Sequence, residues 1–258
     1  MKILYKDASV TLHNFIQTCK QEGYLQGKYC YCGRLDPMAS GKMLFLENEE
    51  CSDMVQYLQC DKEYEIEIGL GISTDTDDIL GLIDDVNFDR YELFDSSTLL
   101  QSAILKVAAR TTQQYHAFSA FQIKQGDTRV NLCELSKENK LDKTLIPSKP
   151  CNVYSITNYN KKIADLHYYI DVIIQKIERL DDNNHYYRKR EIITQWKTFL
   201  STIPHGIDLK MFSYKYKIKV SSGFYIRQFI HDLKKECNFP LLVLGIHRTN
   251  IFKDSVAL

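Results

Sequence analysis

The stretch CGRLDPMASG, residues 32–41, places one aspartate on a backbone that has little conformational freedom. Gly33 allows a positive φ angle or the close approach of another group. Pro37 biases the preceding Asp36 away from the helical region and fixes the bend that follows. Residues 39–41, Ala-Ser-Gly, add little bulk. The pattern indicates a carboxylate held on a stiff, crowded loop, although an Asx turn between two strands explains the same residues equally well.

The composition is that of a globular protein without a charge bias. Among 258 residues, 33 Lys plus Arg balance 33 Asp plus Glu, so the net charge is zero. The net charge therefore does not indicate a nucleic-acid partner, and any basic surface must be local. The 44% of hydrophobic residues can build a sizeable core. No linker rich in Pro, Gly or Ser divides the chain, which favours one domain over residues 1–258.

The eight cysteines contain no C-x-x-C pair, and we expect no metal site. Their scatter is typical of proteins from a reducing compartment. The N-terminal residues lack the apolar segment of a signal peptide, and no stretch approaches the roughly 18–20 apolar residues that a membrane span needs. We therefore expect an intracellular protein of the cytoplasm or nucleus, with no membrane partner.

Hydrophobic periodicity predicts a mixture of strands and helices. Residues 9–22 carry apolar side chains at helical spacing, with Ser9 or Thr11 as the candidate cap and Gly23 as the end. The other expected elements are strands at 2–5, 42–48, 61–78 and 150–159, a helix at 95–110, and a strand running into a helix over 214–239.

Residues 163–203 differ from the rest of the chain. Two segments of roughly helical spacing, DLHYYIDVIIQKIERL and RKREIITQWKTFL, flank the polar stretch DDNNHYYRKR. The pattern predicts a two-helix insertion with an exposed joint.

A second motif combines KEY, residues 62–64, with GISTDTDDILG, residues 71–81. On its own, Tyr64 reads as a core aromatic in a half-buried strand. The group of Asp75, Asp77 and Asp78 weakly suggests calcium but lacks the glycine and glutamate spacing of an EF-hand, so we set that reading aside.

The third motif is SGFYIR, residues 222–227, preceded by Lys215, Lys217 and Lys219. In a strand these lysines share one face, and the intervening apolar residues share the other. The lysines either protect an ordinary edge strand or form a phosphate-binding stripe that leads to Arg227.

Together and in this order, the three segments resemble the signatures of the TruB-type tRNA pseudouridine synthases. GRLDPMASG, KEYEIEIGLGISTDTDDILG and SSGFYIRQFIHDL agree with that family even in their internal spacings. The likeness covers most of residues 1–160 and 212–253. It implies the α/β (α+β) pseudouridine synthase fold, with a central mixed, largely antiparallel sheet flanked by helices and a cleft across its middle.

The resemblance also implies a reaction, the cofactor-free isomerisation of the T-loop uridine of tRNA (position 55) to pseudouridine. Asp36 matches the family's essential aspartate, and Arg227 matches the arginine that pairs with it. Tyr64 matches the active-site tyrosine, which stacks on the flipped base, and Tyr225 would support Arg227. The side chains that we expect to contact RNA are Tyr31, Arg34, Lys62, Asp75, Lys215, Lys217, Lys219 and Arg248.

The chain departs from the family pattern in several places. Tyr31 stands where the family commonly has histidine, Arg34 replaces a small residue, and residues 163–203 have no counterpart. The sequence stops at Leu258, which leaves no room for the PUA domain that many relatives carry. The expected partner is RNA, first of all the T-arm of tRNA, and no protein partner is predicted. Two alternatives remain open: the same chemistry on another structured RNA, and a relative that binds RNA without modifying it.

Overall fold

The computed structural model of the chain describes residues 1–88, 98–125, 128–182, 185–203 and 209–258. Within them, the strands are β1 Lys2–Lys6, β2 Tyr29–Tyr31, β3 Ala39–Glu47, β4 Asp61–Leu70, β5 Ile72–Thr74, β6 Ile83–Val86, β7 Thr112–Gln114, β8 Gln122–Gln125, β9 Thr128–Asn131, β10 Ser148–Pro150, β11 Val153–Asp165, β12 Lys210–Val220, β13 Leu241–Lys253 and β14 Val256–Ala257. The helices are α1 Leu12–Gln21, α2 Met54–Leu58, α3 Thr98–Ala108, α4 Leu132–Lys137, α5 Leu166–Glu178, α6 Lys189–Thr202 and α7 Ile226–Cys237.

Eight of the strands form one sheet in the order β1-β3-β13-β4-β12-β11, with β2 paired to β3 and β14 paired to β13. Neighbouring strands are antiparallel except β3 and β13, which run parallel. This mixed, largely antiparallel sheet confirms the fold class expected from the sequence.

Strand β4 shows why these residues form a sheet buried on one face. Tyr64 and Ile66 are buried, whereas the intervening Glu63 and Glu65 are only half-buried, as the period of two requires. The strand expected over 61–78 is too long, because Gly71 adopts a positive φ of 97° and ends it.

Helices α1, α3 and α7 cover one face of the sheet. Phe15 of α1, Ile104 of α3 and Phe229 of α7 belong to one core with the buried residues of the sheet. Helix α1 begins later than expected, because Thr11 is its cap and accepts a hydrogen bond from the backbone N–H of Asn14 at 3.1 Å.

The insertion forms two helices, as expected, and these pack on the other face. Successive residues of β13 belong to two different cores. Leu241 packs with α1, α3 and α7, and Leu242 packs with α5 and α6. Strand β11 continues to pair with β12 as far as Asp165, so the first helix of residues 163–203 begins at Leu166. Among the described helices, none is long and apolar enough to cross a bilayer.

Candidate active site

The three sequence motifs meet at one cavity of about 1000 Å³. Its lining includes Asp36 from the β2–β3 loop, Tyr64 from β4, Thr76 and Asp78 from the β5–β6 loop, and Tyr225 and Arg227 from the start of α7. The fold thus brings Asp36 and Arg227, which are 191 positions apart in the sequence, into hydrogen-bond contact.

The loop that carries Asp36 requires its glycines. Gly33 and Gly41 have φ angles of 102° and 118°. A Cβ on Gly41 would lie only 2.3 Å from the carbonyl oxygen of Arg248, because parallel strand β13 passes directly beside it. No other residue type fits at this close approach of β3 and β13. The need for glycine at position 41 is therefore steric as well as conformational.

Lys6 holds the same loop from inside the protein. Its side chain is fully buried, and Nζ donates to the carbonyls of Asp7 (2.9 Å), Asp36 (3.2 Å), Pro37 (3.1 Å) and Ala39 (2.8 Å). Burial lowers the pKa of Lys6 to about 8, although the charge of Asp36 opposes the shift. The ammonium therefore fixes the backbone on both sides of the candidate catalytic residue.

Asp36 and Arg227 form the central ion pair. Arg227 Nε donates to Asp36 Oδ2 at 2.7 Å, and Nη2 donates to the carbonyl of Phe118 at 3.2 Å. Burial works to raise the pKa of Asp36, but the charge and the hydrogen bond of Arg227 outweigh it and hold that pKa below its ordinary value. Because 41% of the Asp36 side chain remains accessible, an ionised carboxylate is presented to the cavity.

Asp78 provides a second carboxylate beside Arg227, with Oδ2 at 3.8 Å from Nε. Its Oδ1 accepts from Thr76 Oγ1 at 2.7 Å and from the N–H of Leu80 at 2.9 Å. Burial raises the pKa of Asp78 to about 6, against the pull of Arg227. The guanidinium is therefore held between two acids. We assigned no role to Asp78 from the sequence, although its place in the T-D-T-x-D motif could have indicated one.

Asp77, the neighbouring residue, faces a different set of partners. Its Oδ2 lies 3.0 Å from His116 Nε2 and 3.1 Å from His231 Nδ1, and Oδ1 lies 2.9 Å from Lys234 Nζ. The N–H of Phe118 donates to His116 Nδ1 at 3.1 Å, so the proton of this imidazole is on Nε2. Burial lowers the pKa of His116 to about 4 and keeps the ring neutral.

No sequence pattern joins these residues, because they come from three distant segments. The aspartates of the β5–β6 loop do not converge on a common point, and within the described ranges no group of three or more His, Cys, Asp or Glu side chains is arranged to hold a metal ion.

Tyr64 and Tyr225 both lie in the cavity wall, where the resemblance placed them. Tyr64 is buried and lies opposite Arg248 in the register of β4 and β13. The backbone N–H of Tyr225 donates to Gln113 Oε1 at 2.9 Å, and Gln113 Nε2 donates to the carbonyl of Tyr225 at 3.0 Å. Lys149 Nζ lies 4.0 Å above the Tyr225 ring. These contacts hold the start of α7, and hence Arg227, in position.

The eight side chains expected to contact RNA divide into groups. Tyr31 and Arg34 line the cavity, and Arg34 is exposed. Asp75 lines no part of it. Its carboxylate pairs with Arg188 of the insertion joint at 2.8 and 3.1 Å and accepts from the N–H of Leu82 at 2.9 Å. Asp75 therefore joins two parts of the protein, and its expected contact with RNA stays a prediction.

Lys62 and Arg248 also line the cavity, but both side chains are buried, and their expected contact with RNA stays a prediction. Lys62 Nζ donates to the carbonyls of Leu58, at 3.2 Å, and Cys60, and burial lowers its pKa to about 8. Arg248 donates to the carbonyls of Lys42 (2.6 Å), Arg34 (3.3 Å) and Gly33 (3.2 Å). Lys62 therefore satisfies carbonyls at and just after the end of α2, and Arg248 satisfies carbonyls of the Asp36 loop and of β3.

The lysine stripe lies on the face of the sheet opposite to α7. Its alternation with buried Tyr214 and Tyr216 is as predicted, but those tyrosines, not the lysines, face Arg227's helix. On the outer face, Lys217 Nζ lies 3.3 Å from Glu63 and Lys215 Nζ lies 3.8 Å from Glu67. Lys219 Nζ lies 4.0 Å above the ring of Phe252. The stripe therefore does not lead to Arg227, and glutamates of β4 neutralise part of it.

Comparisons with known proteins concern the family and the fold. The sequence model of the family described as TruB family pseudouridylate synthase (N terminal domain) matches residues 21–176. No curated protein sequence matches the chain. Among solved structures, a crystal structure of a Cbf5-Nop10-Gar1 complex has a similar fold, with a TM-score of 0.50 and 14% identity over 98% of this chain.

Two further structures are similar at 14% identity and TM-scores of 0.46: an H/ACA RNP bound to a substrate RNA containing 2′-deoxyuridine, and an archaeal box H/ACA sRNP Nop10-Cbf5 complex. The chain spans about half the length of the three structures that it matches, namely 50%, 48% and 49%.

Proposed function

The chain belongs to the TruB family of pseudouridylate synthases, whose model matches more than half of it, and from this premise we propose that it isomerises a uridine of RNA to pseudouridine. The observation that carries the proposal is the 2.7 Å contact between Arg227 Nε and Asp36 Oδ2 at the wall of a large open cavity. A protein that only bound RNA would not need a carboxylate held ionised and accessible.

The reaction exchanges one glycosidic bond for another. The N1–C1′ bond of uridine breaks, the uracil turns, and a C5–C1′ bond forms. C5 then loses its proton and N1 gains one, so no oxidant, reductant or other co-reactant is consumed. Asp36 acts either as nucleophile at C1′ or as the base that starts elimination. Both routes need an ionised carboxylate at a fixed position, which the Arg227 contact and the Lys6-anchored loop support.

The target base must leave its stack before it can reach Asp36. Flipping costs a few kcal/mol, and stacking on an aromatic ring offsets roughly 1–3 kcal/mol of that cost. Tyr64 is the aromatic ring that the sequence resemblance points to, and its place in the cavity wall supports this role. Tyr225 and Asp78 hold Arg227 in position.

For the substrate we propose the T-loop uridine of tRNA, with another structured RNA as the second candidate. The three signature segments support tRNA. The insertion joint supports the alternative, because Tyr186 and Tyr187 come from a segment without a counterpart in the family pattern and yet line the cavity. The eight free cysteines support a reducing compartment as the place of action.

The test is incubation of the purified protein with unmodified tRNA transcript and mapping of pseudouridine by carbodiimide treatment and primer extension. We expect one stop, at the T-loop uridine, that disappears in Asp36→Asn. Product that survives Asp36→Asn would refute the mechanism. Product in a total RNA pool but not in tRNA would favour the second substrate, and tight binding without product in either would leave an RNA-binding protein.

A further inference from the structure

The joint between α5 and α6 reaches the active-site cavity. From the sequence we expected this polar stretch to be exposed, and Tyr186 is exposed. Tyr186 and the half-buried Tyr187 both line the cavity. The insertion therefore does more than decorate the outer face of the sheet.

One anchor of the joint is the signature loop. Arg188 has the left-handed φ of 57° and forms a two-point ion pair with Asp75, at 2.8 and 3.1 Å. The same guanidinium lies 5.3 Å from the ring centre of Phe118, whose carbonyl accepts from Arg227. Bidentate Arg–carboxylate pairs fix orientation as well as distance. The residue next to Tyr187 is therefore fixed to the loops that build the catalytic ion pair.

The joint has two further anchors, on α4 and α1. Lys137 Nζ lies 3.3 Å from the ring centre of Tyr186 and also donates to its carbonyl, and the Tyr186 hydroxyl lies 3.6 Å from Cys133 Sγ. On the other side, Asn14 Nδ2 donates to Asp181 Oδ2 at 3.0 Å. Helix α4, helix α1 and the signature loop thus anchor the described residues of the joint, 181–182 and 185–188, and Tyr186 and Tyr187 among them form part of the cavity wall.

Tyr186 and Tyr187 are the two aromatic residues that this wall contributes to the cavity, and the ring of Tyr186 is already covered by Lys137 Nζ. The backbone N–H of Tyr187 donates to Asp182 Oδ1 at 2.9 Å, which sets the course of the chain there. Burial, and next to it the negative charge of Asp36, raise the pKa of the Tyr187 phenol. The phenol is therefore neutral.

The size of the cavity leaves room for more than one nucleotide. Its volume of about 1000 Å³ is at the upper end of the roughly 300–1,000 Å³ range of small-molecule pockets. Asp36, Tyr64 and Arg227 account for one flipped uridine. Because Tyr187 also lines this cavity, an adjoining nucleotide of the same RNA could contact it.

We propose that Tyr187 is an RNA-binding residue that stacks on the base of a nucleotide adjacent to the isomerised uridine. The inference rests on the proposed function and deepens it, since it assigns the insertion to substrate binding at the same site. An uncharged aromatic ring suits a nucleobase, because stacking tolerates any base and needs no counter-charge.

The test measures binding in an Asp36→Asn background, so that turnover does not intervene. A labelled, unmodified T-arm hairpin transcript is titrated against that parent, and against the parent carrying Tyr187→Ala, Tyr187→Phe or the control Tyr168→Ala. Tyr168 belongs to the same insertion but is exposed on α5 and does not line the cavity. Thermal unfolding of each variant checks that the fold is retained.

We expect Tyr187→Ala to weaken binding by about tenfold, within the range of one base–aromatic stack, and Tyr187→Phe and Tyr168→Ala to change it by less than about twofold. The same titrations are repeated with hairpins that carry an abasic nucleotide on the 5′ or the 3′ side of the target. The contacted nucleotide is the one whose base, when removed, weakens binding to the parent but does not weaken binding to Tyr187→Ala. This comparison is a double-mutant cycle between protein and RNA.

Equal affinity of Tyr187→Ala and the parent would overturn the inference, as would a loss in Tyr187→Phe as large as in Tyr187→Ala. The proposed function fails separately. If the wild-type protein makes no pseudouridine but binding still depends on Tyr187 and on one flanking base, the contact stands and the reaction does not. If product forms and Tyr187→Ala binds as the parent does, only the inference fails.

Discussion

His116 donates its Nε2 proton to Asp77 Oδ2 across 3.0 Å, and both side chains are almost wholly buried. The other ring nitrogen accepts from the N–H of Phe118, and the carbonyl of Phe118 accepts from Arg227. The imidazole therefore positions a backbone segment that in turn positions the guanidinium beside Asp36. Asp77 and His116 are positioning residues, since neither lines the cavity.

Replacing His116 by Phe should lower kcat by roughly 10- to 100-fold with little change in KM, because Arg227 loses its orientation and RNA contacts remain. Single-turnover and steady-state kinetics on tRNA would measure the effects on kcat and on KM separately. His231→Phe is the matched control, since it removes a contact to the same carboxylate at 3.1 Å but none to Phe118. Equal losses in the two variants would contradict the positioning role.

The same histidine should make folding stability sensitive to acid. Its pKa of about 4 in the folded protein lies below the value of roughly 6.5 for an unfolded histidine. The unfolded chain thus binds the extra proton between these values, and stability falls as the pH drops.

Between pH 7.5 and 5 the loss from His116 should be about 2 kcal/mol. Asp78 acts oppositely, since its raised pKa of about 6 makes the folded state gain stability on acidification. Urea unfolding of wild type and His116→Phe at both pH values isolates the histidine. A similar pH dependence in the two proteins would argue against a buried neutral imidazole.

Gly41→Ala should destabilise the protein by about 3 kcal/mol or more, because the new Cβ would meet the backbone of Arg248 in a region of φ that alanine avoids. Gly245→Ala, on the neighbouring strand β13, is the control. A Cβ there meets no atom within 4 Å among the described residues, so its effect should stay within about 1 kcal/mol. Thermal unfolding compares the two variants. Similar melting temperatures would show that β3 and β13 can move apart at Gly41.

Arg227→Lys should reduce kcat by at least about 100-fold while leaving the protein folded. Lysine keeps the charge between Asp36 and Asp78 but has no planar fork to bond a carboxylate and the Phe118 carbonyl at once. Arg227→Ala should additionally cost about 3 kcal/mol of stability, because two carboxylates lose their counter-charge. Wild-type turnover in Arg227→Lys would show that only charge is needed.

Lys217→Gln should leave RNA affinity and its dependence on salt unchanged, because this lysine points away from the cavity and lies 3.3 Å from Glu63. A phosphate contact would contribute about one unit to the slope of log K against log salt. Filter binding from 50 to 200 mM salt measures that slope. A decrease of about one unit would restore the stripe as an RNA-binding surface.

Much of the fold and part of the site could be predicted from the sequence. The alternation in β4 follows a local rule, which allowed the strand to be predicted. The spacing around Asp36, Tyr64 and Arg227 matches a family pattern, which allowed us to predict that these residues lie together. The two helices of the insertion were also visible from periodicity alone.

The remaining features depend on long-range packing, which leaves no local signal. A lysine in an alternating strand looks the same whether it meets water or carbonyl oxygens, so the burial of Lys62 could not be anticipated. The pairing of Arg188 with Asp75 joins the segment that we expected to be an insertion to one of the family's signature segments. The Asp77 cluster combines residues separated by 39 and 154 positions.

The separation of Asp36 from Arg227 by 191 positions also has a consequence for the order of folding. Closing so long a loop is entropically costly and slow, so contacts of this kind form late. Sheet pairings between β1, β2 and β3 can form early, but the carboxylate acquires its counter-charge only when α7 docks. During refolding, secondary structure should therefore recover before activity does, and the appearance of pseudouridine would time the last step of assembly.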